Sequence, residues 1–238
     1  MIKTIRLQVL IFWLLLIAVI IAAGLFAGSS DMRSAFSSGS YDGPILIIDA
    51  GHGGADGGAS SLSGVPESEL NLDISQKMAA LSGLTGIAYK MTRDSEEIEY
   101  PDSATSIAKK KKYDQKKRVE FINSTEKAVL ISVHQNCYPQ KSPFGPQSFY
   151  AKTESSDGLA VLIQDSMNAA LCPNNRRIAM PISNDIYLMK NVKCPAVLVE
   201  CGFISNPKES ELLDTGEYRL KIAVVLISAY LRYTDTKE

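Results

Sequence analysis

Four side chains of this sequence have the types that a catalytic metal site requires. His52 stands among glycines in "DAGHGG", and His134 ends the apolar run "AVLISVH". Glu200 lies within "AVLVECG", where an ionised carboxylate is costly to bury without a partner, and Glu67 opens "ESELNLDIS". Two imidazoles and one carboxylate form a ligand set of catalytic zinc sites, and a separate acidic residue can act as general base. These residues are therefore candidates for a centre that activates water.

Each residue alone also has an ordinary structural explanation. A histidine between glycines can bond a backbone carbonyl, His134 can be a core histidine with satisfied hydrogen bonds, and Glu67 is favoured at a helix start by the helix dipole. The spacing does not match the HExxH metal motif. The glycine-rich stretch "GHGGADGG" could also cradle a phosphate, although it lacks the GK[ST] and GxGxxG patterns of such loops. The residues alone leave these readings open.

The elements that must position these side chains alternate between apolar strands and amphipathic helices. Helices are predicted at 67–83, 112–125, 155–172 and 218–233, and strands at 44–50, 86–93, 127–134, 146–152, 185–190 and 195–202. Ser156 or Asp157 is the expected cap of the third helix. The pattern predicts an α/β domain, with a mostly parallel, twisted sheet of about six strands and helices on both faces.

The predicted topology brings the candidates together. In open parallel sheets, chemistry gathers at the edge where the strands end. His52, His134 and Glu200 each follow or end a predicted strand, and the start of the first helix directs Glu67 to the same edge.

The amino terminus predicts an exported protein. Residues 9–27 are nineteen positions without a charge, and Lys3 and Arg6 precede them. A helix of that length is about 28 Å long and can span a bilayer, and the basic residues keep the leading end in the cytoplasm. Residues 1–28 are therefore predicted to be an uncleaved membrane anchor. A signal peptide cleaved near the small residues 22–24 is the alternative.

The remaining chain predicts one domain behind a linker. Residues 29–43 are rich in Ser and Gly and read as a flexible linker, and residues 44–234 suffice for one core. The 238 residues are 45% apolar with a net charge of -1, a balance that argues against a disordered or nucleic-acid-binding protein.

The four cysteines show no CxxC spacing, which excludes zinc-finger and thioredoxin-type motifs: Cys137, Cys172, Cys194 and Cys201. One or two disulfides are conceivable in an exported chain, but small buried residues are the favoured interpretation. Since neighbours in a strand point to opposite faces, Cys201 is expected to point away from Glu200 and into the packing. Cys137 stays open as an additional thiol ligand.

The run "AKKKKYDQKKR" (108–118) concentrates seven basic residues in eleven positions. Such a run can contact an anionic wall polymer or phospholipid head groups. A solvated loop and helix start is its commoner explanation.

Six motifs in fixed order carry a resemblance to a known family. The sequence resembles the zinc-dependent N-acetylmuramoyl-L-alanine amidases from Asp49 to Tyr233, through "DAGHGGADGGA" (49–59), "GVPESELNLDIS" (64–75), "TRDSE" (92–96), "RVEFIN" (118–123), "LISVHQN" (130–136) and "VLVECGFISNPKE" (197–209). Gln135 departs from the family pattern, which usually has a small residue there.

The resemblance implies an enzyme that hydrolyses the amide between the lactyl group of N-acetylmuramic acid and L-alanine of the peptidoglycan stem. It implies that one Zn²⁺ is held by His52, Glu67 and His134, and that Glu200 is the catalytic carboxylate. Further candidates for substrate contacts or for support of the ligands are Asn71, Asn136, Arg93 and Arg118. For the two arginines, structural pairing is the expected role.

A narrower similarity is to the germination-specific spore-cortex amidases. Those enzymes also place one catalytic domain behind a hydrophobic segment and lack wall-binding repeats, and they act in forming muramic-δ-lactam. The expected partners are peptidoglycan, the membrane and an accessory regulatory protein, with action outside the cytoplasm, in the forespore or cortex. The alternatives are a vegetative cell-wall amidase, a zinc peptidase that cuts within the stem, and a wall-binding protein with a dead site.

Overall fold

A computed structural model describes residues 43–235 of the chain. The predicted anchor or signal segment (1–28) and nearly all of the predicted linker (29–43) lie outside these residues. Within the described part of the chain, no helix combines the length and apolar character needed to cross a bilayer.

The domain is an α/β structure built on one six-stranded sheet, as the sequence predicts. The strands are β1 (Ile45–Ala50), β2 (Tyr89–Met91), β3 (Ala128–Asn136), β4 (Gln147–Tyr150), β5 (Met180–Pro181) and β6 (Ala196–Phe203), in the order β2-β1-β3-β6-β4-β5. Strands β2, β1, β3 and β6 are parallel neighbours, and β4 runs antiparallel to β6. The carboxyl ends of β1, β3 and β6 therefore meet at one edge.

Within residues 43–235, six helices cover both faces of the sheet: α1 (Glu67–Thr85), α2 (Ile107–Asn123), α3 (Ser156–Leu171), α4 (Tyr187–Asn191), α5 (Pro207–Leu213) and α6 (Gly216–Asp235). The larger core buries α1, α3 and α6 against one face, and the smaller core buries residues of α2 and α4 against the other. The central strands are apolar on both faces because helices cover both, which explains their continuous apolar runs.

The alternation of side chains along each strand decides which face every site residue occupies. Along β6, Val197, Val199 and Cys201 belong to the larger core, whereas Ala196 and Leu198 belong to the smaller one. Glu200 therefore emerges on the side of α2 and α4, and Cys201 points away from it, as predicted.

The prediction of a strand at 185–190 is wrong, because residues 187–191 form helix α4. Its buried residues Leu188, Met189 and Val192 follow helical spacing toward the sheet, while Ile186 and Tyr187 stay exposed. A short apolar run does not distinguish a strand from a buried helical turn. The sixth strand is instead the two-residue edge strand β5, which the sequence did not reveal.

Helix ends differ from the predictions where local capping decides them. Helix α2 begins five residues earlier than predicted because the Ser106 side chain accepts a hydrogen bond from the Lys109 amide. The cap predicted for α3 is wrong: its N-cap is Ser155, without a side-chain bond, and the Ser156 hydroxyl accepts instead from Ala196 N. Helix α5, capped by Asn206, was not predicted.

Candidate metal centre

Three side chains converge where β1 and β3 end and α1 begins. His52, Glu67 and His134 each offer a ligand atom, and these atoms all lie within 4.8 Å of one another. Glu67 Oε2 is 3.3 Å from His52 Nε2, and Glu67 Oε1 is 3.0 Å from His134 Nδ1. Ligand atoms on a tetrahedral zinc ion, with bonds of about 2.0–2.1 Å, are themselves about 3.3 Å apart. The residue types and their spacing thus fit one divalent ion.

Asp56 determines which nitrogen of His52 is available to a metal. The carboxylate of Asp56 lies 3.0 Å from His52 Nδ1 and is paired with Lys111 at 2.8 Å, which helps hold its pKa below the ordinary value against the opposing effect of burial. An ionised carboxylate only accepts hydrogen bonds, so Nδ1 carries the proton. The lone pair of Nε2 then faces the Glu67 carboxylate, an arrangement that a cation between them would stabilise.

Charge balance at the cluster also favours a cation. Burial acts most strongly on the pKa of His52 and lowers it, but the hydrogen bond to Glu67 and the charges of Glu67 and Asp56 outweigh it, so that this pKa is raised. Burial would raise the pKa of Glu67, yet hydrogen bonds and charges from His134 and His52 bring it far below its usual range. Glu67 is therefore ionised at neutral pH although it is 4% exposed.

The glycines near His52 make room for the side chains of His134 and Glu67. A Cβ on Gly51 would collide with the imidazole of His134, and a Cβ on Gly58 would lie 2.6 Å from Glu67 Oε2. Protein side chains therefore occupy this space at both positions. The motif is therefore a packing requirement of the cluster.

The backbone of His52 is held in an uncommon conformation by two buried arginines. His52 has a φ of 60°, in the left-handed region that costs a residue with a Cβ about 1 kcal/mol. Arg118 donates to the carbonyl oxygens of Ala50 and His52, both at 2.6 Å, and Arg93 donates to that of Gly51 at 3.1 Å. Three successive carbonyls are thus fixed by two guanidinium groups, which orients the histidine.

Arg118 also forms a buried ion-pair network. Its guanidinium contacts Asp49 at 2.8 Å and Asp114 at 2.9 Å, and Asp49 is 1% exposed. Asp49 accepts further hydrogen bonds from Thr92 and Ser132. Arg93 pairs in turn with Glu96 at 2.9 Å, so both arginines form ion pairs within the protein.

Glu200 stands beside His52, Glu67 and His134 in the cleft. It is the register neighbour of His134 across β3 and β6, so both side chains leave the same face of the sheet. Its Oε2 atom is buried without a hydrogen-bond partner among residues 43–235. Burial raises the pKa of Glu200 to about 7; the negative charge of Glu67 adds to this, and His134 and His52 oppose it. A carboxyl group with such a pKa can exchange protons near neutral pH.

The remaining candidates surround the cluster in different ways. Asn71 donates to Glu67 Oε1 and to the carbonyl of Gly51, and its oxygen accepts from Gln135. Gln135, the departure from the family pattern, also donates its backbone N–H to Glu67. Asn136 lines the cleft.

The cysteines take no part in the cluster. All four are free thiols, so neither disulfide that the sequence permitted is present, and Cys201 alone among them is fully buried. Cys137 is exposed and lines the cleft, outside the group of three ligand atoms.

The cluster lies in a cleft of about 510 Å³ on the side of α2 and α4. Lys111 and Gln115 of α2 line one wall, and the segment 185–188 lines another. A cleft of this size holds a small part of a polymer next to the metal ligands.

The sequence alone gave no role to three residues that support the cluster: Asp49, Asp56 and Gln135. Asp49 and Asp56 belong to the same motif as His52 (49–59). Their partners Arg118 and Lys111 are more than fifty residues away in the sequence. For Asp49 the sequence does carry a signal, a carboxylate at the end of an apolar run. Because a buried charge requires a partner, this position predicts a paired carboxylate.

Comparison with known proteins finds related sequences over most of the chain. The family model of the N-acetylmuramoyl-L-alanine amidases matches residues 46–230. The germination-specific N-acetylmuramoyl-L-alanine amidase of Bacillus subtilis is 36% identical over 196 residues, which cover 82% of this chain and 81% of that protein.

Solved structures show the same fold. The CwlD amidase from Clostridioides difficile, determined in complex with the GerS lipoprotein, has a TM-score of 0.77 at 33% identity, covering 81% of this chain and 99% of that one. An N-acetylmuramoyl-L-alanine amidase from Clostridium difficile 630 has a TM-score of 0.70 at 25% identity, covering 83% and 100%. The chain therefore belongs to the N-acetylmuramoyl-L-alanine amidase family, hydrolases that cleave the amide between the lactyl group of N-acetylmuramic acid and L-alanine.

Proposed function

We propose that this amidase depends on one Zn²⁺ held by His52, Glu67 and His134, and that Glu200 is its catalytic carboxylate. The convergence of two imidazoles and a buried carboxylate beside a second carboxyl group, that of Glu200, carries this proposal, because Glu200 Oε2 is buried without a hydrogen-bond partner among residues 43–235. Zinc prefers such N and O ligands, and three protein ligands leave a position for water. Zinc, when bound, supplies a Lewis acid that polarises the amide carbonyl and lowers the pKa of water.

The protein groups then have separate tasks in the hydrolysis. Glu200 accepts a proton from the attacking water and returns one to the departing nitrogen of L-alanine, so the C–N bond breaks to a lactyl carboxylate and a free amine. Asp56 keeps the proton of His52 on Nδ1. Asn71 and Gln135 hold Glu67 through hydrogen bonds.

We further propose that the enzyme acts outside the cytoplasm on spore cortex, in the formation of muramic-δ-lactam. The supporting observation is the 36% identity to a germination-specific amidase across most of both chains. The similar CwlD amidase was solved with a lipoprotein, which supports an accessory protein as a partner here too. The hydrophobic segment 9–27 supports export and attachment to the membrane.

Digestion of purified peptidoglycan by the zinc-loaded full chain tests the activity, with the chelator-treated protein as control. Mass spectrometry is expected to find intact stem peptides that begin with a free L-alanine amine. Fragments cut inside the stem would instead identify a peptidase. In the producing organism, a deletion strain whose cortex keeps its muramic-δ-lactam would assign the enzyme to the vegetative wall.

A further inference from the structure

The two walls of the cleft differ in chemical character. On the α2 side, Lys111 and Gln115 present polar groups, and Lys111 is paired with Asp56. On the opposite side, Ile186 and Tyr187 line the cleft and are 38% and 36% exposed. These two side chains form an apolar wall that is open to a ligand. Apolar and aromatic side chains that line a cleft commonly supply the surface on which a ligand packs.

The fold places the apolar wall close to Glu200. Leu188 of α4 and Leu198 of β6 both belong to the smaller core and both line the cleft, so the segment 185–188 is anchored over β6. Leu198 and Glu200 leave the same face of that strand, two residues or about 7 Å apart. A group that is bound beside the reacting amide is therefore within reach of this wall.

The covalent structure of the substrate limits where its sugar can lie. In N-acetylmuramic acid, three bonds separate the lactyl carbonyl carbon from the pyranose ring, which is a distance of about 4 Å at most. When that carbonyl is attacked by the water that Glu200 deprotonates, the ring lies in the cleft or at its mouth. The sugar therefore has to be accommodated next to one of the two walls.

The segment 185–188 suits the sugar better than the stem peptide. A pyranose ring is uncharged, and its C–H groups and the methyl of its N-acetyl group pack on aromatic and branched side chains. The hydroxyls of the ring are donors, and Asp185 beside the apolar wall is an acceptor. Its carboxylate accepts from the Ser183 hydroxyl and has further lone pairs. The stem peptide carries carboxylates, which the negative charge of Asp185 repels.

We infer that Ile186 and Tyr187 bind the N-acetylmuramic acid sugar of the substrate and thereby select stem peptides that are attached to glycan. This inference rests on the proposed function, because it takes Glu200 as the reacting group. The two side chains bind and orient the sugar and take no part in proton transfer. A free peptide lacks the group that this wall binds.

The test compares the affinities of the two reaction products. Ile186→Ser/Tyr187→Ser removes the apolar wall, and the matched control Ile178→Ser/Tyr89→Ser removes an exposed isoleucine and an exposed tyrosine outside the cleft. All proteins are zinc-loaded full chains in the same detergent, and elemental analysis verifies their zinc content. The substrate is a set of soluble glycan fragments with stem peptides.

Each product is added separately as an inhibitor of stem release. One is the same glycan stripped of its stems, and the other is the free stem peptide. In the wall variant, the inhibition constant of the glycan is expected to rise about ten- to thirty-fold, the effect of truncating central contact residues. That of the stem peptide is expected to stay within about twofold, and the control variant is expected to match the wild type for both.

A conservative variant makes the test specific to apolar contact. Ile186→Leu/Tyr187→Phe keeps the branched side chain and the ring, so glycan inhibition is expected to stay within about threefold of the wild type. The single variants Ile186→Ser and Tyr187→Ser replace the double variant if it fails to bind zinc.

Four results would overturn the inference. The glycan product does not inhibit the wild type, or it inhibits the wall variant as strongly as the control. The wall variant loses the stem peptide as much as the glycan, which would assign the wall to the peptide. The Leu/Phe variant shows the full loss, which would assign the effect to the tyrosine hydroxyl. Failure of the proposed function is distinguishable from all four, because Glu200→Gln then keeps its turnover.

Discussion

Removing the cation of Arg118 is expected to affect stability and metal binding together. Arg118→Met leaves Asp49 ionised and buried, still bonded to two hydroxyls but without its countercharge. Breaking a buried ion pair from one side costs about 3–5 kcal/mol. That loss is a large part of the 5–15 kcal/mol, roughly, that stabilises a typical domain. The carbonyl of His52 also loses its donor, so we expect zinc affinity to fall about 10- to 100-fold, the usual cost of removing support behind a ligand.

The free energy of unfolding of the metal-free protein is measured in urea by far-ultraviolet circular dichroism, because the single tryptophan, Trp13, lies outside the domain. Zinc affinity is measured separately by competition with a chromophoric chelator. Arg118→Met/Asp49→Asn is the matched control, since it removes both charges of the pair. We expect this double variant to recover part of the lost stability but not the zinc affinity. Equal stability of the single and double variants would refute the assignment of the loss to the uncompensated Asp49.

Three further results are expected from the same site. Glu200→Gln should bind one zinc ion per chain by elemental analysis and lose at least about 100-fold in kcat, whereas undiminished turnover would remove Glu200 from the mechanism. Gly51→Ala should displace the His134 imidazole and lower zinc affinity, and a metal complement equal to that of the wild type would contradict the close approach. Burial would raise the pKa of Asp49, but the Arg118 charge and hydrogen bonds hold it below 3.8. The stability that Asp49 contributes is therefore present above pH 3.8 and is lost as the pH falls through its lower folded value. The free energy of unfolding is measured in urea between pH 2 and 6, roughly, for the wild type and Asp49→Asn. The difference between the two free energies should become smaller as the pH falls, and a constant difference would contradict the pKa shift.

The sequence predicts those strands whose two faces are both buried, because such strands appear as continuous apolar runs. Strands β1, β3 and β6 lie between two layers of helices, and their apolar runs gave bounds that agree with the structure within two residues. The segment 185–190 has the same kind of run but forms a helical turn, which buries Leu188 and Met189 and leaves Ile186 and Tyr187 exposed. Strand β5 has two residues held by pairing to β4, which leaves no local pattern to detect.

The site was predictable to the extent that strand geometry determines it. Residues at the ends of parallel neighbouring strands come to the same edge, so His134 and Glu200 could be placed together before any coordinates were known. Their supporting groups could not, because the bond from Arg118 to Asp49 joins residues 69 positions apart. No spacing rule connects a helix side chain to a strand end at that distance.

The motif around His52 shows why this support matters for the chemistry. A histidine in the left-handed region is disfavoured, so the backbone relaxes unless other bonds hold it. Gly51 lacks a Cβ, so the His134 ring can approach, and the arginines donate hydrogen bonds to the carbonyls of Ala50 and Gly51. The missing Cβ of Gly51 admits the His134 ring, and the arginine bonds offset the strain in the backbone of His52. We therefore expect metal affinity to depend on the two buried arginines. This dependence should be as strong as that on any residue that contacts a proposed ligand without binding the ion itself.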